Sequence, residues 1–498
     1  MSLTTIPPVQ SPWKEVSRYV IQDGVTLVRI LLNQDTQQRE YQVVEPRLDA
    51  KEQETKQFLR DTLIRTMEAR PREDPETALQ ASCDEILATY KMKLDARTRG
   101  RLMYHLRRDI LGYGPIDVMM QDKQLEDISC DGPGIPIFVF HREHESMRSN
   151  VVFEDDYDLD AFVIRLAQMA GKHISLAEPL LDATLPEGSR LQTTLSREVT
   201  TRGSSFTIRR FREEPLTPLD LMAYNTIDAR LAAYYWILME SGASLVYAGG
   251  TASGKTTGLN AICQFIPPES KIVSIEDTRE LSLLHENWIA GVTRTGFIGA
   301  KNSGSDAGIG MYQLLAAALR QRPEYLLVGE VRGTEALTLF QAMATGHAVY
   351  STMHADSVTS AVHRLENPPI SVPRMMLQSL DAISIQSMFR RDGKTQRRVR
   401  QIVEISGIDP DTGEILTNTA FEWDPLTDTF EFLGKSHVLD HFMDLRALDE
   451  EGMEAEWDQR MQYLTKLQAK GVKGYRAFSE AIHQYYRDPA KALKRTHG

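Results

Sequence analysis

Apolar and polar positions change their period several times along the chain, and each change marks a different kind of structure. Near the N-terminus, VTLVRILLNQDTQQREYQVVEP sets two strand-like runs on either side of a polar turn and predicts a hairpin. From about Glu52 the period becomes helical. Leu59, Leu63, Ile64 and Met67 read as one helix face, and Leu102, Leu106 and Ile110 as another. Gly112, Tyr113, Gly114 and Pro115 stop that stretch. Beyond them, LEDISCDGPGIPIFVFH predicts two strands about a glycine-proline turn, DDYDLDAFVIRLAQMAG an amphipathic helix, and RLQTTLSREVTTRGSSFTIRRF further strand. The segment EEPLTPLDLMAYNTID has the prolines and charges of a linker that returns to a domain surface.

From about Asp228 the order is helix, strand, glycine-rich loop, helix, strand, helix, strand, the alternation of a parallel sheet. After about Gln386 the runs VRQIVEISGI, ILTNTAFEW and DTFEFLG, joined by turns such as DPDTGE, turn antiparallel in character. The pattern predicts an N-terminal hairpin and helical region over 1–100, an α+β domain over 101–212, a linker over 213–228, an α/β domain over 229–440 and a helical appendage over 441–498.

The chemistry enters at SLVYAGGTASGKTT. Ser244 to Ala248 is a short apolar run suited to a strand covered on both faces. It leads into a complete G-x-x-x-x-G-K-T: Gly249, Gly250, Thr251, Ala252, Ser253, Gly254, Lys255 and Thr256, with Thr257 behind it. Glycines let successive N–H groups turn toward one phosphate, and a helix opening at Lys255 adds the positive end of its dipole. Lys255 is expected to neutralise the β- and γ-phosphates, and the Thr256 hydroxyl to be a Mg2+ ligand. The strand-like runs KIVSIE and EYLLVGE both end in acids, and ligands of open α/β sheets sit at the carboxyl ends of strands. Glu280 is the first candidate for the base that activates water and Glu276 the second. Glu330 stands where a Walker B acid would hold Mg2+ through its water shell, with Gly329 in place of the usual aspartate. His347 and His354 bracket the apolar run AVYSTM, and His354 is the candidate γ-phosphate sensor. Arg190, Arg202, Arg209 and Arg210 lie upstream of the P-loop region and serve either as surface charges or, for one or two of them, as arginine fingers.

Composition narrows the partners. The 498 residues carry a net charge of −12, which argues against general nucleic-acid binding. Cys83, Cys130 and Cys263 have neither metal spacing nor the number for a disulfide framework, so packing in a reducing compartment is expected and zinc is not. No apolar run is long enough to span a bilayer and no signal peptide is apparent, which points to a cytoplasmic protein. The basic run RRDGKTQRRVR reads as a solvated hairpin or a subunit contact.

The ordered set GGTASGKTT, SIEDTRE, LLVGEVRG and TGHAVYSTMHADS resembles the Walker A, Asp box, Walker B and His box of the type II/type IV secretion and pilus-assembly ATPases. LGYGPI, EDISCDGPGIPIFVFH, HENWIAGVTRTGF and ALRQRPEYLLVGEVRG look most like the archaeal branch, which powers archaella and archaeal type IV pili. The resemblance implies a C-terminal RecA-like ATPase domain behind a PAS-like α+β domain, a homohexameric ring with ATP between the domains, and docking on a polytopic membrane platform protein at the inner face of the membrane. Arg190 of LPEGSR and Arg202 of TTRGSSFTIRRF match the family's N-terminal arginines. The four-cysteine zinc module of many bacterial members is missing, whereas the Gly329-Glu330 pair is normal for the family. Three rivals remain: a RecA-like DNA translocase, a nucleotide-binding scaffold without turnover, and a conjugation-type secretion ATPase.

Overall fold

The computed structural model describes residues 3–66, 74–211, 214–294, 308–391 and 394–495. They form two compact units, Met1–Phe211 and Arg212–Gly498. Met67 of the expected helix face, residues 295–297 of HENWIAGVTRTGF, and Asp392 and Gly393 of the basic run lie outside the described residues.

The first unit is built on a nine-stranded sheet: β1 (Trp13–Gln22), β2 (Thr26–Asn33), β3 (Arg39–Val44), β4 (Leu125–Cys130), β5 (Pro136–His141), β6 (Glu145–Val152), β7 (Leu180–Thr184), β8 (Arg190–Thr194) and β9 (Ser205–Arg209), in the order β1-β2-β3-β6-β5-β4-β9-β8-β7. The expected hairpin is present as β2 and β3. Preceded by β1, it belongs to the same sheet as the α+β strands. The join is short, a parallel ladder in which Glu40 faces Arg148 and Tyr41 faces Ser149. The Asn150 amide reinforces it, accepting from Val43 N–H at 2.8 Å and donating to Val43 O at 3.0 Å. Apolar residues from both parts, Val28, Ile30, Tyr41 and Val43 with Ile128, Val139 and Leu166, share one core. Beneath it the buried Asp122 carboxylate accepts from the phenols of Tyr19 and Tyr41, each at 2.7 Å. The helices Ala50–Thr66, Pro75–Thr89 and Ala96–Ile110 close a smaller core through Leu59, Leu63, Leu79, Cys83 and Leu106. Ile64 is 71% exposed and so leaves the face assigned to it. Five residues after Leu59, it is rotated by well over a third of a turn, whereas Leu59 and Leu63, four apart, stack.

The second unit carries β10 (Leu245–Gly249), β11 (Ile272–Glu276), β12 (Trp288–Val292), β13 (Tyr325–Val328), β14 (Ala348–Met353), β15 (Ala382–Arg391), β16 (Lys394–Ile408), β17 (Ile415–Asp424) and β18 (Thr429–Phe432), in the order β12-β11-β13-β14-β10-β15-β16-β17-β18. From β12 to β15 neighbours run parallel; from β15 onward they are antiparallel. Period-2 alternation sends Leu245 and Tyr247 into one core, with Trp236, Phe265 and Leu327, and Val246 and Ala248 into the other, with Val273, Val328 and Met353. A fully buried side chain of Leu or Val size contributes roughly 1.5–3 kcal/mol, so β10 is pinned from both faces. The segment expected as a linker includes a helix, Pro218–Ala223, opened by a Thr217/Asp220 capping box, with Leu219, Leu221 and Ile227 buried in the core. The C-terminal helices pack there too, through Trp457, Leu464 and Phe478.

Candidate functional site

The carboxyl ends of β11, β13, β14 and β10 lie side by side, and the sequence delivers one polar group or loop at each. At β10 the chain turns into the glycine-rich loop. A Cβ on Gly249 would stand 2.4 Å from the Gln386 carbonyl oxygen, so β15 leaves room only for hydrogen. Gly254 takes φ +90° immediately before the helix Lys255–Ile262, and Ala252 is held at φ +58° although it carries a Cβ. Ser253 tightens the loop by donating its hydroxyl to Gly250 O at 2.9 Å.

Lys255 is buried. Its ammonium donates to Gly250 O at 2.8 Å and lies 3.4 Å from His354 Nδ1. An ammonium can only donate, which assigns the lone pair of the imidazole to Nδ1 and its hydrogen to Nε2. Nε2 in turn faces Glu330 Oε1 at 3.4 Å. Burial, and then the Lys255 charge, hold His354 below its ordinary pKa against the opposing pull of Glu330. Beyond Glu330, Arg332 reaches the other carboxylate oxygen at 2.5 Å and Asp277 at 4.0 Å, and Asp277 accepts from the Thr293 hydroxyl at 3.1 Å. A continuous polar line therefore crosses the sheet edge from the P-loop to the residue following β12.

Glu276 sits differently. Its carboxyl is almost wholly buried, Oε1 accepts from the N–H groups of Glu280 and Leu281 at 2.9 Å each, and Oε2 has no partner among the described residues. Burial pushes its pKa up to about 7, against those two hydrogen bonds. Gly329 explains its position: a Cβ there would lie 3.2 Å from Glu276 Cγ. The buried acid from β11 thus fills the space beside β13 that a side chain at 329 would need. Glu280 is exposed on the loop that Glu276 holds.

The structure brings Lys255, Glu330 and His354 together and sets Glu276 against Gly329. Thr256 is half-buried at the first turn of the helix, with Thr251, Ala252 and Thr257 exposed around it. Its hydroxyl has no partner among the described residues, so it is free for a cation. An exposed backbone cradle, a lysine, that hydroxyl and the Glu330 carboxylate are a donor set that fits a nucleotide phosphate with Mg2+. His347 stands at the opposite end of β14, its Nδ1 3.2 Å from Thr345 Oγ1 and from Ala342 O, and plays no part here. Arg190 and Arg202 belong to the first unit: Arg190 is paired with Asp182 across the β7–β8 hairpin at 2.6 Å, and Arg202 is exposed in a turn. Sequence reasoning passed over Arg332, Gln386 and Arg397. The first was visible as the cation two residues after the Walker B acid, and Arg397 as part of the basic run.

A family description, type II/IV secretion system protein, matches residues 111–427. The chain is 36% identical over 410 residues to the uncharacterized protein MJ0900 of Methanocaldococcus jannaschii, covering 82% of this chain and 73% of that one. It is 34% identical over 236 residues to the conjugal transfer protein TrbB of Rhizobium radiobacter, 46% of this chain and 68% of that one. Among solved structures, the Legionella pneumophila ATPase DotB is similar with 16% identity and a TM-score of 0.41, over 74% of this chain and 90% of that one.

Proposed function

The chain belongs to the type II/IV secretion system protein family and is a P-loop ATP hydrolase, and on that premise we propose that it is the Mg2+-dependent motor that drives assembly of an archaeal type IV pilus-like filament. The observation that carries the reading is the contact line Lys255–His354–Glu330, which joins the P-loop, the His box and the Walker B acid at three adjacent parallel strand ends. When bound, Mg-ATP supplies the phosphoanhydride and a cation that draws charge from its oxygens. Residues Gly249 to Thr257 would cradle the phosphates, Lys255 would hold the β- and γ-phosphates, and the Thr256 hydroxyl would be a ligand for Mg2+. Glu330 would help hold Mg2+ through water, and Glu280 would receive the proton of the attacking water. Glu276 keeps the Glu280 loop in place through its two N–H acceptances. His354 exchanges its Lys255 contact for the γ-phosphate, and Arg190 and Arg202 act as phosphate-directed cations.

The motor would work as a homohexamer in the cytoplasm, against a polytopic platform protein at the inner face of the membrane. No helix among the described residues is long and apolar enough to cross a membrane. The identity to a chain of the archaeon Methanocaldococcus jannaschii supports the archaeal branch. Likeness to a conjugal transfer protein favours a conjugation-type secretion ATPase as the second reading.

Mg2+-dependent phosphate release by the purified protein, beside its mass with and without a non-hydrolysable ATP analogue, tests the proposal. Slow turnover with nucleotide-promoted hexamers, indifferent to added DNA, is expected. Turnover that climbs steeply with DNA would replace the reading with a translocase, and binding without turnover would leave a scaffold.

A further inference from the structure

The acids and His354 all lie on one side of β10, at the ends of β11, β13 and β14, while the other side is occupied by β15 and β16. A nucleotide whose γ-phosphate end meets Glu330 and His354 must therefore direct its nucleoside end toward β15 and β16. On that side stands Arg397, a residue of the basic run with no role in the mechanism above. Its Nε donates to the carbonyl oxygen of Ala252 at 3.0 Å, and Ala252 is the one loop residue other than glycine held at positive φ. Its Cδ is 3.1 Å from where a Cβ on Gly254 would be, so the guanidinium stem lies directly against the loop. The strand beneath it is fixed. The adjacent Arg398 is buried in a two-pronged pair with Asp428, at 2.8 Å for both Nε and Nη2, and donates to Tyr224 O. Gln386 of β15, also buried, lies against Gly254 and Gly258 on the same side. The terminal nitrogens of Arg397 have no partner among the described residues, and the side chain is half-buried.

Resting on the ATPase reading, we infer that Arg397 is a nucleotide-binding residue on the nucleoside side of the site. Nε secures the strained crown of the P-loop, and the terminal nitrogens contact the α-phosphate and ribose. A planar guanidinium is suited to both tasks at once, because one fork edge can serve the carbonyl while the other stays open.

Equilibrium binding of ADP, ATP and inorganic pyrophosphate to the full chain and to Arg397→Gln separates contact from mere loop support. Pyrophosphate fills the cradle without a nucleoside. The variant should bind ADP and ATP each about tenfold more weakly, the loss expected of one charge-assisted contact, with pyrophosphate within about twofold of wild type and Arg397→Lys in between. Nucleotide affinity unchanged in Arg397→Gln overturns the inference. A parallel loss of pyrophosphate also overturns it, reducing Arg397 to a prop for the loop. Wild-type protein that binds pyrophosphate but no nucleotide, or binds neither, removes the ATPase reading and the inference with it. Thermal unfolding of the variant at the wild-type temperature certifies its fold.

Discussion

Replacing Glu276 by glutamine removes a titrating group and keeps its hydrogen bonds, since an amide oxygen can still accept from Glu280 and Leu281 N–H. The carboxyl is 1% exposed, and its pKa stands at about 7 against an ordinary 4.5. A carboxyl whose pKa rises on folding binds its proton more tightly in the native state. Its contribution to stability is therefore complete below the unfolded value and is lost as pH climbs through the folded one. Integrating the linkage between those two values gives a loss of roughly 2–3 kcal/mol for the wild type on going from about pH 5 to about pH 8. The glutamine variant has no such loss, and all other titrations cancel in the comparison. Urea unfolding of both proteins without nucleotide at the two pH values measures it. The difference in unfolding free energy should shift in favour of Glu276→Gln by roughly that amount at the higher pH. A difference that stays constant within about 0.5 kcal/mol would mean that the carboxylate is charged and solvated on folding, and the account of Glu276 as a buried acid would fail.

Lys255→Ala should abolish phosphate release, and a rate above about a tenth of wild type would remove the role given to that ammonium. Gly329→Val forces two methyl groups toward Glu276 and should cost about 1–3 kcal/mol. Combined with Glu276→Ala the cost should fall by at least about 1 kcal/mol in a double-mutant cycle, and simple additivity would refute the contact. Arg332→Gln frees the Glu330 carboxylate from a partner that is 55% exposed. The affinity for nucleotide in the presence of Mg2+ should then improve about two- to fivefold, the scale of a screened pair, with no change when Mg2+ is chelated; weaker Mg2+-dependent binding would contradict it.

Strands β10, β11, β13 and β14 were legible because each is a short, mainly apolar run ending in a charged or glycine-rich turn, whereas β12 and β15, parallel members of the same sheet, carry no such signature. Lys255, Glu330 and His354 converge because those ends are neighbours. The sequence did not disclose which acid is buried: Glu276 and Glu280 look alike in SIEDTRE, and only the pairing of β11 with β13 puts one of them against Gly329. Arg397 was hidden among six basic residues whose individual directions depend on the register of β15 with β16. The first strand, WKEVSRYVIQ, was missed because its half-buried and exposed positions alternate without a strong apolar face. Within the segment read as a linker, the sequence did not disclose the short helix that Pro218 and the Thr217/Asp220 capping box start, which buries Leu219 and Leu221.

The narrow seam between β3 and β6 has a temporal consequence for the growing chain. The meander β1 to β3 is complete at Val44, but its docking strand begins at Glu145, about a hundred residues later. At ribosomal rates of about 5–20 residues per second, Val28, Ile30, Tyr41 and Val43 wait roughly 5–20 seconds for the strand that joins their meander to the rest of the sheet. Nascent chains of this protein therefore pass through a window in which an apolar three-stranded sheet is open to chaperones or to its like on a neighbouring ribosome. The window closes only when β6 follows the Asp122 carboxylate, which precedes it in the chain.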